Sequence, residues 1–205
     1  MIELHIKNLE GVWFGVACDG DKVFATSFAS NEERAVRGLL DGIPYGAPFR
    51  RSEKISAFAE RIMVGLKSIH DGKDGPQDVL LETKHLSDYM KKVLEVTRLI
   101  PSGYVSSYGV IAKATGGSPR AVGRIMASNP FAPIVPCHRV VGSDFSLIGY
   151  GGGLGAKLAF LKREKKGYSS VKEVSVNGKR LKVWPVEFVL RRNLKGNSRR
   201  VIHRT

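Results

Sequence analysis

Runs of β-branched and aromatic residues dominate the first 30 positions and predict strands. The stretch VWFGVACDGDKVFATSF, residues 12–28, holds two such runs joined by the turn-forming segment CDGDK, which predicts a hairpin. Residues 32–41 have a helical pattern. The chain therefore begins as a mixture of strands and helix.

Apolar residues at spacings of three and four predict a longer helix in SEKISAFAERIMVGLKSIHDG, residues 52–72, with Ser52 as its N-cap. The apolar positions on this spacing are Ile55, Phe58, Ala59, Ile62, Leu66 and Ile69. The segment DGKDGPQD, residues 71–78, is rich in Gly, Pro and Asp and marks a candidate domain boundary. Residues 1–80 are therefore predicted to form a small α+β domain.

The second part of the chain opens at Ser87 with the helix SDYMKKVLEVTRLIPSG, which Pro101 ends. A short helix over residues 107–115 follows, then a Gly-Gly turn and a second helix with Ser118 as N-cap and Pro119 at its first position. Two short helices joined by a tight glycine turn form a helix-turn-helix pattern. Because this pattern is common, it indicates DNA binding only together with other features.

The second of these two helices has two different faces. Val122, Ile125 and Met126 share one face and are expected to pack in the core. The other face is small and doubly cationic, and it consists of Arg120, Gly123, Arg124 and Ala127. A glycine inside a helix costs about 1 kcal/mol. Its presence favours a bulky partner that approaches closely, although a solvated face with two arginines is the simpler alternative.

The last helix of this part is predicted in LGAKLAFLKREKKG, residues 154–167. The leucines on its apolar side are Leu154, Leu158 and Leu161. Glu164 lies three residues after Leu161 and four after Phe160, so it leans toward that apolar side. A carboxylate in this position can orient another polar side chain.

Residues 168–205 carry ten Lys or Arg and two acids, a net charge of +8. VKEVSVNGKRLKVWPVEFVLRRN, residues 171–193, is predicted to form two or three strands with NG as a hairpin turn, and GNSRRVIHRT, residues 196–205, to be disordered. This basic extension is either a solubilising tail or an additional DNA-contacting element. A third alternative is packing against the body of the protein through Val183, Trp184, Val186 and Phe188.

The composition limits the class of protein. An apolar fraction of 42% in 205 residues is enough for a buried core, and two cysteines, Cys18 and Cys137, do not make a disulfide framework. The start MIELHIKNLE has charges in its apolar stretch, so it is not a signal peptide, and no run approaches the roughly 18 apolar residues of a membrane span. No metal site is predicted, because His5, His70 and His85 lack ligand spacing around Cys18.

The charge is strongly basic. Lys and Arg number 33 against 19 acids, giving a net charge of +14 and a pI near 10.0. A solubilising surface is one explanation. An excess this large more often marks a polyanionic partner, usually nucleic acid.

The segment VPCHRVV, residues 135–141, places Cys137 between Pro136 and His138. A buried structural cysteine is the usual explanation for such a residue. However, His138 can reach the thiol proton directly or through a water, and Glu164 can orient His138, which makes a candidate nucleophile, base and orienter. A cysteine hydrolase would use a similar pair, but it needs an oxyanion hole and leaves the helix-turn-helix unexplained.

Residues 86–167, about 40% of the chain, resemble the O6-alkylguanine-DNA alkyltransferase family, the methylated-DNA–protein-cysteine methyltransferases. The resemblance lies in the PCHRV core, the preceding RAVG…M…NP pattern and the following GYGGG. It implies an α+β fold with an N-terminal α+β (RNase H-like) domain at 1–80 and a helical domain with a DNA-binding helix-turn-helix at 86–167. The basic, partly β extension at 168–205 lies outside the resemblance and is predicted from its own pattern.

The resemblance also implies roles for the residues around the cysteine. Cys137 accepts the alkyl group permanently, His138 takes its proton through a water, and Glu164 orients His138. Asn129 ties the recognition helix to the active-site loop. The damaged base leaves the duplex and enters the protein, since its alkylated oxygen lies inside the stack.

For binding, the resemblance implies that Tyr108 pushes the damaged nucleotide out and hydrogen-bonds the extruded base, while Arg120 fills the gap. The other implied substrate and DNA contacts are Gly123, Arg124, Met126, Ala127, Arg139, Val140, Ser143, Tyr150 and Gly151. The helix enters the minor groove, which suits a small cationic face. The sequence departs from the family pattern at Gly109, where glutamine is frequent, and at Gly151, where serine is common.

The implied protein is a DNA repair protein that acts once on double-stranded DNA carrying O6-alkylguanine and needs no cofactor or metal. We expect a monomer without membrane association, located in the cytoplasm near the nucleoid, or in the nucleus of a eukaryote. The alternative is a non-enzymatic protein that binds alkylated lesions and signals to another repair pathway. Such proteins lack the acceptor cysteine, whereas Cys137 is present here. A transcription regulator that shares this module is a further alternative, although such regulators usually carry an extra metal-binding cysteine domain.

Overall fold

The computed structural model describes residues 1–76, 78–176 and 179–201, and it has a mixed α+β fold. The chain forms two compact units. The first consists of Met1–Lys91 with Ser128–Val135, and the second of Lys92–Ala127 with Pro136–Thr205.

A five-stranded sheet in the order β4-β1-β2-β3-β5 forms the centre of the first unit. Its strands are β1 (Ile2–Leu9), β2 (Val12–Asp19), β3 (Lys22–Ala29), β4 (Phe49–Arg51) and β5 (Leu80–Leu81). β1, β2 and β3 pair antiparallel, whereas β4 and β5 run parallel to β1 and β3. The predicted hairpin between the two runs of residues 12–28 is therefore confirmed.

Two helices accompany this sheet, α1 (Glu32–Gly42) and α2 (Ala57–His70). The predicted start of α2 is wrong. Ser56, not Ser52, is its N-cap, and the Ser56 hydroxyl accepts a hydrogen bond from Ala59 N at 3.1 Å. The Ser52 amide instead donates to Leu4 O, which extends the pairing of β4 with β1 beyond Arg51. The Ser52 hydroxyl donates to Lys54 O at 2.7 Å instead of accepting from a helix amide, and the helix begins four residues later.

Residues 128–135 belong to the first unit, whereas the sequence placed them inside one continuous segment from 86 to 167. Thr26 accounts for the difference, since its amide donates to Pro130 O and its hydroxyl to Ala132 O, both at 2.8 Å. These bonds join the segment to β3. No spacing along the chain indicates such a pairing.

A four-stranded sheet in the order β7-β6-β9-β8 lies in the second unit. Its strands are β6 (Tyr104–Ser107), β7 (Val140–Val141), β8 (Lys172–Val176) and β9 (Lys179–Pro185). The remaining helices are α3 (Asp88–Arg98), α4 (Tyr108–Thr115), α5 (Pro119–Ala127), α6 (Gly153–Arg163) and α7 (Val186–Val201). The two short helices predicted around the Gly-Gly turn are confirmed as α4 and α5.

The basic extension packs within the second unit. β8 and β9 form an antiparallel pair as predicted, while their turn residues lie outside the described part of the chain. Two strands thus form of the two or three predicted, and residues 186–201 form α7 instead of a third. The disorder predicted for residues 196–205 is therefore wrong over residues 196–201. Val186 and Val189 are fully buried on one side of α7 and pack with Val105 and Val141, so tertiary packing stabilises a helix where β-branched residues favour a strand. Residues 202–205 lie outside the described residues.

Candidate active site

Cys137 begins a single 3-10 turn, Cys137–Arg139, which follows Pro136 and leads directly into β7. The turn is closed by the Val140 amide, which donates to the Cys137 carbonyl oxygen. Cys137 is 6% exposed. The cysteine is thus held in a short buried turn beside the sheet, with little freedom to move.

His138 and Glu164 meet inside the second unit. His138 Nε2 lies 2.9 Å from Glu164 Oε1, and both residues are completely buried. Glu164 is the C-cap residue of α6, and the His138 ring stacks on Phe160 of the same helix at a centroid distance of 4.5 Å. The inward lean of Glu164 therefore brings its carboxylate onto the histidine, a contact that sequence spacing alone did not establish.

Arg139 holds the other side of this carboxylate. Its Nε lies 3.1 Å from both Glu164 oxygens, its Nη2 donates to Oε1 at 2.8 Å, and its Nη1 donates to Ile100 O at 2.7 Å. The sequence grouped Arg139 with the substrate and DNA contacts. The structure places it elsewhere, in a buried forked ion pair, because an uncompensated buried carboxylate is costly and a guanidinium matches its geometry.

The environment sets the charge states of this pair. Burial disfavours the charged form of Glu164, but the interactions with His138 and Arg139 outweigh it and lower the pKa of Glu164 from 4.5 to about 2. Burial lowers the pKa of His138 below its ordinary 6.5, although the carboxylate opposes that change. The histidine is therefore neutral near pH 7 beside an ionised carboxylate. Among the described residues, no group lies within hydrogen-bonding distance of His138 Nδ1.

A cavity of about 780 Å³ opens at Cys137, and every residue that lines it belongs to the second unit. The sequence-predicted residues on its wall are Tyr108, Arg120, Gly123, Arg124, Met126, Ala127, Ser143, Tyr150 and Gly151. Gly109, Pro119, Gly142, Ile148 and Gly149 complete it. Val140 and Arg139 are buried and do not line it. The residues proposed for substrate thus gather around the thiol.

One wall of the cavity is formed by α4 and α5. Ser107 caps α4, Gly116 ends it in the left-handed conformation at φ 77°, and the Ser118 hydroxyl caps α5 by accepting from Ala121 N at 3.2 Å. On α5, Val122 and Met126 are buried as predicted, whereas Ile125, the third residue of the predicted core face, is only partly buried. The predicted small face, with Arg120, Gly123, Arg124 and Ala127, lines the cavity and its mouth.

Lys157 is the residue that the sequence reasoning missed. It is completely buried on α6, and burial lowers its pKa to about 8. Its Nζ donates to Ile148 O at 2.8 Å and to Gly149 O at 3.2 Å, the two carbonyls that also accept from the Tyr108 hydroxyl. The available signal was a cation three and four residues before Phe160 and Leu161, on their face of α6.

The buried face of α6 differs from the predicted apolar side at the start of the helix. Leu154, assigned to the apolar side, is 48% exposed, whereas Lys157, Phe160 and Leu161 are the buried residues. Leu154 is only the second residue of the helix, whereas the cysteine turn and α7 are the elements that pack on α6. The buried residues of α6 are therefore confined to the later part of the helix, where Phe160 stacks on His138.

Tyr108 and Tyr150 contribute the phenolic hydroxyls of the cavity. Burial raises the pKa of Tyr108 to about 12 and the pKa of Tyr150 well above 10, with the nearby Cys137 acting in the same direction. Both therefore remain protonated donors at neutral pH. Within the described residues the Tyr150 hydroxyl has no hydrogen-bond partner, whereas Tyr108 donates to Ile148 O at 3.0 Å.

Asn129 lies in the segment of the first unit that precedes the cysteine. Its Nδ2 donates to Val135 O at 2.9 Å and its Oδ1 accepts from Phe131 N at 3.0 Å. The side chain therefore closes the segment 129–135 on itself. Val135 is two residues before Cys137 in the chain.

Metal-ligating clusters and membrane-spanning helices are both missing from the described residues. No group of three or more His, Cys, Asp and Glu side chains in this part of the chain is arranged to hold a metal ion. No helix in the same described part has both the length and the apolar character needed to span a membrane.

The paired helices and the cysteine site both fall within residues 88–166, which match the pattern of the 6-O-methylguanine DNA methyltransferase DNA-binding domain. Residues 88–166 therefore belong to the class of 6-O-methylguanine DNA methyltransferase DNA-binding domains. A methylated-DNA–protein-cysteine methyltransferase of Methanocaldococcus jannaschii is 45% identical over 167 residues, covering 82% of this chain and 96% of the relative. The chain belongs to the methylated-DNA–protein-cysteine methyltransferase family.

Other relatives match a shorter region. The Mycobacterium leprae methylated-DNA–protein-cysteine methyltransferase is 48% identical over 81 residues, 38% of this chain, and the match spans about half of that relative, 49% of its length. Among solved structures, the Mycobacterium tuberculosis OGT in complex with DNA has a TM-score of 0.63 at 29% identity, covering 80% of this chain and 93% of the other. The O6-methylguanine-DNA methyltransferase of Pyrococcus kodakaraensis has a TM-score of 0.59 at 27% identity, covering 80% and 99%.

Proposed function

We propose that this protein repairs DNA by transferring the alkyl group of O6-alkylguanine irreversibly to the sulfur of its own Cys137. The observation that carries the proposal is the placement of Cys137 on a cavity of about 780 Å³, next in sequence to a buried histidine–carboxylate pair. In the reaction the sulfur–carbon bond forms and the bond from carbon to O6 breaks. Its electron pair stays with guanine, which takes up a proton.

His138 acts as the base and Glu164 as its orienter. The Cys137 thiol proton passes to His138 Nδ1, directly or through a water, because Nε2 is already held by Glu164. The lowered pKa of His138 keeps this nitrogen unprotonated before the reaction. Glu164 stabilises the imidazolium that forms, and Arg139 keeps Glu164 ionised. The product is a thioether that the protein has no means of cleaving, so each molecule acts once.

DNA binding is assigned to α4 and α5 as a helix-turn-helix, with α5 in the minor groove. The support is the exposed cationic face of α5 and the small Gly123, where backbone can approach the duplex closely. Asn129 then supports the chain between this helix and Cys137. We assign the first unit to the RNase H-like class on the basis of its mixed five-stranded sheet.

The extruded base is assigned to the cavity. Tyr108 donates to the base and assists extrusion, Arg120 enters the gap that it leaves, and Met126 and Tyr150 line the space around it. Backbone groups near Val140 and Gly151 read the base edge. Ser143 contacts the substrate strand, a role supported by its exposure at the rim of the cavity.

The proposed partner is accordingly double-stranded DNA that carries O6-alkylguanine. It acts as a monomer, in the cytoplasm at the nucleoid or in a eukaryotic nucleus, and away from membranes. Nucleophile, base and donors all come from its own side chains, so the reaction requires neither cofactor nor metal.

Intact mass tests the proposal directly. After incubation with duplex DNA carrying O6-methylguanine, the protein is expected to gain the mass of one methyl group and no more. Tight binding without a mass gain would instead support the non-enzymatic lesion-binding alternative. A gain beyond one equivalent per molecule would contradict single-turnover transfer.

We expect Arg120→Ala to slow repair of duplex DNA about ten-fold, equivalent to about 1.4 kcal/mol of activation free energy. The reason is that the gap left by the extruded base is no longer filled. Reaction with a free alkylated guanine base needs no extrusion and should be unchanged. Lys113→Ala, which removes an exposed charge from α4 outside the cavity, is the control. An equal loss on both substrates would show that Arg120 supports the cavity rather than extrusion.

We expect Gly123→Ala to stabilise the protein by about 1 kcal/mol through helix propensity and yet to weaken DNA binding. The added methyl would meet Tyr108 Cε1 at 3.9 Å, an ordinary contact, so the fold accommodates it. The added methyl would also project toward the proposed contact with the DNA groove. We therefore expect the affinity for DNA to fall about ten-fold. Thermal unfolding and a DNA titration measure the two effects.

Gly155→Ala on α6 is the matched control, because a methyl there meets nothing within 4 Å and Gly155 lies outside the cavity wall. It should change stability without changing affinity for DNA. If Gly123→Ala also left affinity unchanged, a close approach of DNA to this face of α5 would be refuted.

A further inference from the structure

The loop between β7 and α6, residues 142–152, supplies much of the cavity wall, and we call it the pocket loop. Its residues on that wall are Gly142, Ser143, Ile148, Gly149, Tyr150 and Gly151. The end near α6 is held by Lys157 and Tyr108, which both donate to the carbonyls of Ile148 and Gly149. The other end, at residues 143–147, needs a separate support.

That end is held by the basic extension. The Phe145 ring lies 5.8 Å from the Trp184 ring of β9 and 5.3 Å from the Phe188 ring of α7, measured between centroids. Next to it, Asp144 forms an ion pair with Arg192 of α7. Aromatic pairs at these separations contribute beyond the burial of area, so two consecutive residues of the pocket loop are fastened to the extension.

Phe145 adopts a backbone conformation that needs such support. Its φ is +63°, in the left-handed region that residues with a side chain rarely occupy. The strain is tolerated where surrounding structure determines the conformation. Inside the loop, the Phe145 amide donates to Gly142 O at 3.0 Å. The Phe145 side chain packs against the cluster that contains Val186 and Val189 and against the Trp184 and Phe188 rings. The shape of the loop therefore depends in part on residues outside the family match, which ends at residue 166.

The extension also supports the opposite wall of the cavity. β9 pairs with β6 at Tyr104–Pro185 and Val105–Trp184, and the Ser106 hydroxyl donates to Lys182 O at 2.9 Å. β6 leads without a break into Tyr108 at the start of α4. β9 thus carries Trp184, whose ring packs on Phe145 of the pocket loop. β9 also pairs with β6, the strand that leads into Tyr108.

We propose that β9 and α7 of the basic extension are a positioning element for the substrate cavity, in which Trp184, Phe188 and Arg192 hold the pocket loop in its binding conformation. This proposal rests on the proposed function for the identity of the ligand, a guanine base. The three residues act through the loop and do not touch the base. Cys137, His138 and Glu164 lie outside the loop, so the extension governs base binding rather than the transfer step.

The test uses point substitutions, because the burial of Val183, Val186 and Val189 means that deletion of the extension would remove part of the core. Phe188→Ala is compared with Phe188→Leu, which retains apolar volume. Arg192→Gln is compared with Arg191→Gln, which loses the same charge one residue away, on the side of α7 that faces another cavity. Transfer is followed under single-turnover conditions with free O6-benzylguanine, and amide hydrogen exchange is followed across the chain.

For Phe188→Ala we expect the half-saturating base concentration to rise about five-fold, with the limiting transfer rate unchanged and faster exchange confined to residues 142–149. Phe188→Leu should recover most of the affinity. Arg192→Gln should raise the half-saturating concentration about two-fold, and Arg191→Gln should not change it.

Two results would overturn the proposal. One is unchanged base affinity and loop exchange in Phe188→Ala. The other is a parallel loss of affinity and limiting rate with faster exchange throughout the second unit, which would indicate general destabilisation. If the wild-type protein took no alkyl group from any substrate, the proposed function would fail, while the exchange measurement would still decide whether the extension holds the loop.

Discussion

Cys137→Ser abolishes alkyl transfer and leaves DNA binding largely intact: this is the largest effect we expect. Serine preserves the size of the side chain in the 3-10 turn, but its hydroxyl is a far weaker nucleophile than a thiolate toward a saturated carbon. The wild-type protein should stop after one equivalent. Peptide mapping should place the added alkyl group on the peptide that contains Cys137, and the variant should show no mass gain.

The second cysteine provides the control for this experiment. Cys18 is buried in β2, and burial, together with Glu3 and Asp19, raises the pKa of its thiol to about 11. It is therefore a thiol rather than a thiolate near pH 7, and Cys18→Ser should transfer at the wild-type rate. An alkyl group found on Cys18, or transfer that survives Cys137→Ser, would refute the assignment of the acceptor.

Glu164→Gln is expected to reduce both stability and rate. The substitution would leave the Arg139 guanidinium buried without its anion, and breaking a buried pair in this way costs about 3–5 kcal/mol. The His138 imidazolium formed on proton transfer would also lose its stabilising charge, so we expect transfer to slow about 100-fold. Chemical denaturation and single-turnover kinetics measure the two effects, with Glu95→Gln, an exposed carboxylate on α3, as control.

The pH dependence of stability separates this role from a general packing defect. The pKa of Glu164 is lowered in the folded protein from 4.5 to about 2, so its stabilisation is complete above pH 4.5 and is lost as the pH falls toward 2. That difference corresponds to about 3 kcal/mol. In Glu164→Gln this acid-dependent loss should be absent. If the variant kept the wild-type slope between pH 4.5 and 2, the ionised Glu164 would not be the stabilising group.

His138 contributes to the same profile with the same sign. Because burial lowers its pKa below 6.5 in the folded state, the unfolded chain binds this proton more readily, and stability starts to fall as the pH drops below 6.5. His138 and Glu164 thus both make the stability of the fold sensitive to acid. The arrangement holds a neutral base and an ionised carboxylate together at neutral pH, which is the state that proton abstraction from a thiol requires.

The sequence by itself determined the features that depend on near neighbours in the chain. The N-cap at Ser118 and the two faces of α5 follow from local hydrogen bonding and from helical periodicity. Glu164 was expected to lean inward for the same reason, three and four residues after Leu161 and Phe160. The adjacency of Cys137 and His138 is a property of the chain itself, and the family resemblance added the chemistry to these positions.

The tertiary structure decided the features whose partners lie far away in the chain. Ser52 does not cap a helix because its backbone continues the pairing of β4 with β1 at Leu4, and residues 128–135 join the first unit because Thr26 binds their carbonyls. Arg139 turns inward because Glu164, 25 residues later, supplies its counter-charge. Lys157 is buried because carbonyls of the pocket loop accept hydrogen bonds from its ammonium group. The extension ends in α7 rather than a third strand, since Val186 and Val189 pack with Val105 and Val141. Local patterns describe what a segment can form, whereas the free energy of contacts with distant segments selects among those forms.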